Sequence, residues 1–147
     1  MSEEKIEGLI RGFVEAFAKG DVEKTLSFLA ENAVWVAPEG TFKGKDEIRR
    51  LVSWSAQTSP EKTFRDSGIG IVVMGDKAVY EYIFGGRTSA GTRFETHGIC
   101  VYEFNGEKIQ QHRAIYDRMS VAKQAAPGWF ADKAISYIVN QYEKGLR

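Results

Sequence analysis

Arg93-Phe94-Glu95-Thr96-His97-Gly98-Ile99-Cys100-Val101-Tyr102-Glu103-Phe104-Asn105-Gly106-Glu107-Lys108-Ile109-Gln110-Gln111-His112-Arg113-Ala114-Ile115-Tyr116 is the stretch on which the fold turns. Its two apolar runs, 93–104 and 109–116, are rich in Val, Ile, Tyr and Phe. Between them lies Asn105-Gly106, a pair that tolerates positive φ and signals a tight hairpin. The same grammar extends upstream. Thr63 to Met74 and Ala78 to Phe84 have the composition of strands, and Gly75-Asp76, Gly85-Gly86 and Gly91 separate the runs. The succession predicts an antiparallel meander.

Before residue 62 the period is that of helices. Ile6, Leu9, Ile10, Phe13, Val14 and Phe17 recur at spacings of three and four, which predicts a helix over 3–19. Gly20-Asp21 stops it, and Asp21 caps a second helix over 21–30 with Val22, Leu26 and Leu29 on its apolar side. Ala33 to Ala37 reads as a short strand ended by Pro38, and 39–44 as a turn. A third helix spans 45–57, with Ile48, Leu51, Val52 and Trp54 on one face, and Pro60 closes the segment. Helices followed by a run of strands make an α+β order rather than alternating βαβ units. After Gln124, Ala125-Ala126-Pro127-Gly128 leads to a last helix over 131–144 whose apolar stripe (Ala134, Ile135, Ile138, Val139, Tyr142) requires cover. That cover can come from the same domain, from a second subunit, or from a pocket mouth. The reading is one domain over 1–147, with 125–147 as its helical extension.

Composition narrows the function classes. The 147 residues are 43% hydrophobic and 27% charged, an ordinary globular balance. Twenty Lys and Arg offset twenty Asp and Glu, so no net charge draws the chain to nucleic acid or to an anionic membrane. No apolar run reaches the roughly 20 residues of a membrane helix. One cysteine allows no intrachain disulfide, and the polar start lacks the pattern of a secretory signal, so a cytoplasmic location is expected. Two histidines without a Cys-x-x-Cys give no zinc pattern, and there is no G-x-G-x-x-G, P-loop or G-x-S-x-G. Neither a metal nor a cofactor is expected.

Three stretches carry a family resemblance. They are Phe13 to Asp21 with Ala33 to Pro38, then Phe42-Lys43-Gly44-Lys45-Asp46-Glu47-Ile48, and finally Asn105 to Asp117. Together they resemble the nuclear-transport-factor-two-like superfamily, which includes ketosteroid isomerase and SnoaL-like polyketide cyclases. The resemblance spans residues 5–124. It implies a cone-like, curved antiparallel sheet with the N-terminal helices packed over its concave face. It does not by itself carry an activity, because this fold hosts enzymes and non-enzymes alike. Where ketosteroid isomerase uses a tyrosine, a basic aspartate and a buried acid, this chain has Phe13, Ala37 and Cys100, and that mechanism has lost its polar groups. The catalytic aspartate of limonene-epoxide hydrolase falls on Ala114. SnoaL-like cyclases show an aspartate followed seven residues later by glutamine, a spacing that Asp117 and Gln124 share.

Strand alternation puts His112, Ala114 and Tyr116 on one face and Arg113, Ile115 and Asp117 on the other. By resemblance the first set lines the cavity, as do Trp35, Tyr80, Tyr82 and Phe84, while Ile99, Val101 and His97 point to an outer, dimer-forming face. Trp54 and Cys100 join the candidate ligand-binding set, although a tryptophan such as Trp54 or Trp35 is more often core than ligand stacker and Cys100 reads as a small buried hydrophobe. His112 is the sharpest candidate for acid–base work near neutral pH, against the reading of a core histidine held by a tyrosine hydroxyl or of a surface one. Asp117 either turns inward at a strand end, as the SnoaL-like pattern implies, or caps the turn that follows. Two functions stay open. One is an acid–base isomerase, dehydratase or cyclase acting on a small apolar carbonyl or polycyclic compound, with His112, Tyr116 and Asp117 moving protons and Tyr80 or Tyr82 holding an oxyanion. The other is a non-catalytic ligand-binding or dimeric interaction module. Both imply a small apolar ligand and a homodimer.

Overall fold

A computed structural model describes residues 1–146. Helix α1 spans Glu3–Ala18, and Ser2 caps it by accepting a bond from the Lys5 amide at 3.2 Å. It buries Ile6, Ile10, Phe13 and Ala16, the face that the spacing foretold. Helix α2 covers Val22–Ser27 under the Asp21 cap. It is shorter than its sequence pattern, because Leu29 already belongs to strand β1 (Leu29–Ala37). The segment read as a turn is strand β2 (Gly40–Lys43), which pairs back on β1. Helix α3 follows over Gly44–Thr58.

The meander comes next: β3 (Glu61–Met74), β4 (Lys77–Arg87), β5 (Arg93–Asn105) and β6 (Lys108–Tyr116), each antiparallel to the one before. The six strands lie in the order β2-β1-β6-β5-β4-β3, a curved α+β sheet that does not close on itself. One pair is parallel. β1 joins β6 with both chains running the same way, since α3 and the whole meander lie between them as the crossover. The β5–β6 hairpin loop is Gly106-Glu107, one residue later than expected, because Asn105 pairs with Lys108 and only Gly106 takes positive φ, +57°.

Strand β3 bends where it loses register. Asp66 stands opposite Tyr82 and Ile71 opposite Tyr80, so extra residues bulge out between them, with Gly68 and Gly70 at positive φ. The bend brings Asp66 to Arg11 of α1, whose guanidinium donates to both carboxylate oxygens at 2.9 and 2.8 Å. Helix and sheet edge are thereby joined across an exposed seam.

Two helices end the chain. Helix α4 (Arg118–Ala125) was not foreseen in the sequence, and α5 covers Trp129–Tyr142. Gln124 anchors α4 to β5. Its amide accepts from the Glu95 N–H at 2.9 Å and donates to the Glu95 carbonyl at 2.8 Å, beyond the point where β6 stops pairing. α5 packs on α4 and buries no residue fully. Ile135 and Val139 are half-buried, whereas Ala134, Ile138 and Tyr142 of the expected stripe are exposed, as are Trp129, Phe130 and Tyr137.

Candidate functional site

Register on the sheet builds the site in rows. Tyr80, Cys100 and Ala114 stand opposite one another across β4, β5 and β6, and Tyr82, Gly98 and Tyr116 form the next row. A third row runs Tyr102, His112, Trp35 across β5, β6 and β1. Side chains two apart share a face, so all three rows look toward the helices. Gly98 is bare for a reason. A Cβ there would sit 2.5 Å from the Tyr82 ring, which lies across it.

Between these rows and the helices lies a cavity of about 70 Å³. A single water needs roughly 10–15 Å³, so the space admits several waters or one compact molecule. Trp35, Tyr80, Tyr82, Phe84, His112 and Tyr116, expected to share a cavity, all line it, and so does Cys100. α1 contributes Phe13 and Phe17, and β3 contributes Phe64. Trp54 of α3 also lines it, but the residue is 49% exposed and so stands at the mouth rather than in the core.

His112 is fully enclosed, 3% exposed. Its ring stacks on Tyr102 at 4.7 Å with 7° between planes, meets Trp35 at 4.3 Å and takes the edge of Phe13 at 5.2 Å. Burial, with a smaller push from Arg113, lowers its pKa to about 3. The imidazole is therefore neutral near pH 7, and taking up a proton there costs more than it would for an ordinary histidine. A neutral ring still offers one N–H and one lone pair. Both ring nitrogens, and Nε1 of Trp35 beside them, are buried without a hydrogen-bond partner among the described residues. No tyrosine hydroxyl satisfies His112, so the reading of a core histidine held by one fails as well.

The tyrosine hydroxyls are committed elsewhere. Tyr80 donates to Asp66 at 3.0 Å, and burial together with that bond raises it to about 12. Tyr82 lies 3.3 Å from the Cys100 sulfur. Burial raises the Cys100 thiol to about 11, against hydrogen bonds from Tyr82 and Tyr102 that lower it, so a thiolate does not form near neutrality. Tyr80, expected as an oxyanion donor, is thus engaged by Asp66, whereas in the Tyr82–Cys100 contact either group can be the donor.

Asp117 lies outside the cavity. It caps α4, accepting from the Ser120 amide at 3.0 Å, and faces an outer depression with His97, Ile99 and Ile115. His112 and Asp117 do not reach a common void. Strand parity decides this, since the chain turns into α4 at Asp117 without the bulge needed to bring it inward. The Asp117…Gln124 spacing is thus satisfied by a cap and an anchor of one short helix.

The carboxylate that does line the cavity is Glu39, which no sequence signal singled out. It sits half-buried between β1 and β2 and accepts a hydrogen bond from the Tyr116 hydroxyl across 77 positions of chain. Burial first, and then Glu39, push the Tyr116 hydroxyl well above the usual phenol range. Pro38 followed by an acid was the only available hint. A turn has no periodicity from which to read direction.

A family model described as the SnoaL-like domain matches residues 10–112. The chain belongs to the SnoaL-like domain family. Solved structures agree on the fold of this SnoaL-like protein. A hypothetical protein of ketosteroid isomerase-like fold from Catenulispora acidiphila, in complex with trimethylamine, superposes with a TM-score of 0.74 at 18% identity, covering 84% of this chain and 95% of its own. A candidate polyketide cyclase from Xanthomonas campestris gives 0.72 at 20% identity, covering 82% and 96%. TerC, co-crystallised with polyporic acid, gives 0.70 at 19% identity, also covering 82% and 96%. No curated protein matches. Among the described residues no helix is long and apolar enough to cross a membrane, and no group of three or more His, Cys, Asp or Glu could hold a metal ion.

Proposed function

We propose that this SnoaL-like protein binds a small, largely apolar molecule in its aromatic cavity, with an oxygen of the ligand held at Trp35 and His112. One observation carries the reading: three buried polar atoms, Trp35 Nε1 and both His112 nitrogens, have no partner among the described residues and belong to side chains that line the cavity. A buried donor left unmade costs about 1–3 kcal/mol, and a hydroxyl or carbonyl group of a ligand would relieve that cost. The volume of about 70 Å³ favours a compact molecule over a polycyclic one, since pockets for drug-sized ligands run to roughly 300–1,000 Å³. Native mass spectrometry of freshly purified protein tests the reading. A small molecule is expected to co-purify with wild type and to be lost in Ala114→Phe, which fills the cavity. Retention by Ala114→Phe would place the ligand elsewhere.

Acid–base catalysis of the isomerase, dehydratase or cyclase type is the second reading, and the Glu39–Tyr116 contact favours it. In that reading Glu39 takes the proton and the neutral donors at Trp35 and His112 face the developing oxyanion. The non-catalytic module is the alternative, and turnover abolished in Glu39→Gln with binding retained separates the two.

A homodimer through the outer sheet face is part of the proposal. Ile99 and Ile115, adjacent across β5 and β6, are 43% and 65% exposed, and apolar area of that kind gains from cover by a second copy. Sedimentation is expected to show a dimer in wild type and a monomer in Val101→Lys, whose new charge would stand opposite Arg113. A wild-type monomer at high micromolar concentration sinks the dimer, and an intact Val101→Lys dimer sinks this surface.

A further inference from the structure

Among the described residues, the cavity wall carries one formal negative charge and no formal positive one. Glu39 is the acidic residue on it, and no described Lys or Arg lines it. Glu39 takes part in none of the ion pairs formed among the described residues, and its hydrogen bond comes from a neutral phenol, that of Tyr116. Cationic side chains near the wall have other partners: Arg11, 6.0 Å from the centre of the Tyr80 ring, pairs with Asp66, and Arg113 pairs with Glu103 at 2.6 Å. Arg118 donates to the Pro38 carbonyl at 3.0 Å. Lys62 donates to the Ser55 and Ser59 carbonyls at 3.2 and 2.8 Å, with its ammonium 5.2 Å from the centre of the Phe17 ring.

The rest of the wall acts in the same direction as Glu39. Phe17, Trp35, Phe64, Phe84 and Tyr116 present rings to the cavity. The face of an aromatic ring is electronegative, so a cation is attracted to it and an anion is repelled. A half-buried carboxylate among such rings is screened less than one in open water, which enlarges its preference for a cationic partner. Trp35 Nε1 and one nitrogen of His112 need an acceptor, and the other His112 nitrogen can accept. A hydroxyl or carbonyl oxygen answers the donors, whereas a purely alkyl cation would leave them unmet.

We propose that the cavity selects a compact alkylammonium compound bearing a hydroxyl or carbonyl oxygen, with Glu39 as counter-ion, the aromatic rings around the charged head, and Trp35 and His112 at the oxygen. This rests on the small-molecule reading above and names the chemical class of its ligand. The same wall rejects carboxylates and phosphates, because an anion there would meet Glu39 and ring faces with no described cationic residue lining the cavity to offset them.

Calorimetric titration of the full chain with four probes, three of them matched in size, tests the assignment. They are choline, trimethylammonium, neohexyl alcohol as the neutral isostere of choline, and the tert-butylacetate anion. Choline is expected to bind about tenfold or more tighter than neohexyl alcohol, the scale of one desolvated cation–π and ion-pair contact, with the anion weakest. Glu39→Gln should bring choline down to the level of neohexyl alcohol and leave the alcohol unchanged, while Glu39→Asp should keep the preference. Trp35→Phe should narrow the advantage of choline over trimethylammonium. Equal binding of choline and neohexyl alcohol by wild type, or a preference for choline that survives Glu39→Gln, overturns the cation assignment and leaves the small-molecule reading standing. Failure of all four probes to bind wild type overturns both.

Discussion

Acidification from about pH 6.5 to pH 5 is expected to cost the folded protein about 2 kcal/mol through His112 alone. The folded state holds this imidazole near a pKa of about 3, by burial and by Arg113. In the unfolded chain it returns to roughly 6.5. The unfolded state therefore takes up the proton first. The contribution is fully present above about pH 6.5 and falls by about 1.4 kcal/mol for each pH unit below it, until the folded ring also titrates near 3. Across the whole window the loss reaches about 5 kcal/mol, a large share of the 5–15 kcal/mol typical of a domain. The upper part of the window isolates His112, because ordinary carboxylates titrate mainly below it. Asp66, Glu15, Glu103 and Glu107, all lowered by hydrogen-bonded basic partners, act lower still. Urea unfolding at both ends of that interval should show the loss in wild type and a much flatter response in His112→Gln. Equal losses in the two proteins would mean that His112 is not buried as a neutral ring.

The second large effect is expected at Phe13. Phe13→Ala should destabilise the protein by about 3–5 kcal/mol, the range for removing a fully buried aromatic ring. Phe13 is 2% exposed and sits among Phe28, Trp35, Tyr102 and His112, with ring centres 6.3, 5.4, 6.1 and 5.2 Å away. It joins α1 to the row of rings on the sheet. For a chain of this size each kcal/mol lowers the melting temperature by about 2–4 °C, so calorimetry should register a drop on the order of 10 °C. Phe13→Leu, which keeps most of the volume, should cost less than half as much. Because Phe13 also lines the cavity, the alanine variant should admit a bulkier ligand than wild type. A loss below about 1 kcal/mol for Phe13→Ala would show that α1 does not close the site as described.

Much of the architecture was legible in one dimension. The first helix, the four strands of the meander and the shared face of His112, Ala114 and Tyr116 followed from periods of 3.6 and 2, and the family resemblance supplied which face lines the cavity. Those patterns are local. A strand has only two faces, and once Tyr116 is inside, His112 is inside as well. The same parity put Asp117 outside, and the SnoaL-like pairing with Gln124 pulled the reading the other way. The outward position held because Asp117 is the cap of a helix that the weak amphipathicity of 118–125 had hidden.

The chemistry of the site lay beyond that reach. Glu39 belongs to a turn without periodicity, and it meets Tyr116 only because β1 lies parallel to β6 in the sheet. That parallel pairing also sets Trp35 beside His112, a contact no sequence spacing encodes. The residue type of His112 suggested a proton shuttle near neutral pH, whereas enclosure by Phe13, Trp35 and Tyr102 made it a neutral ring. The sequence by itself determined the main helices, the meander and which side chains share a face, since each depends on neighbours a few residues apart, while β2 and α4 escaped it. Only the tertiary structure decided which carboxylate enters the cavity and which titratable groups keep their charge, since desolvation and through-space partners depend on packing between distant segments.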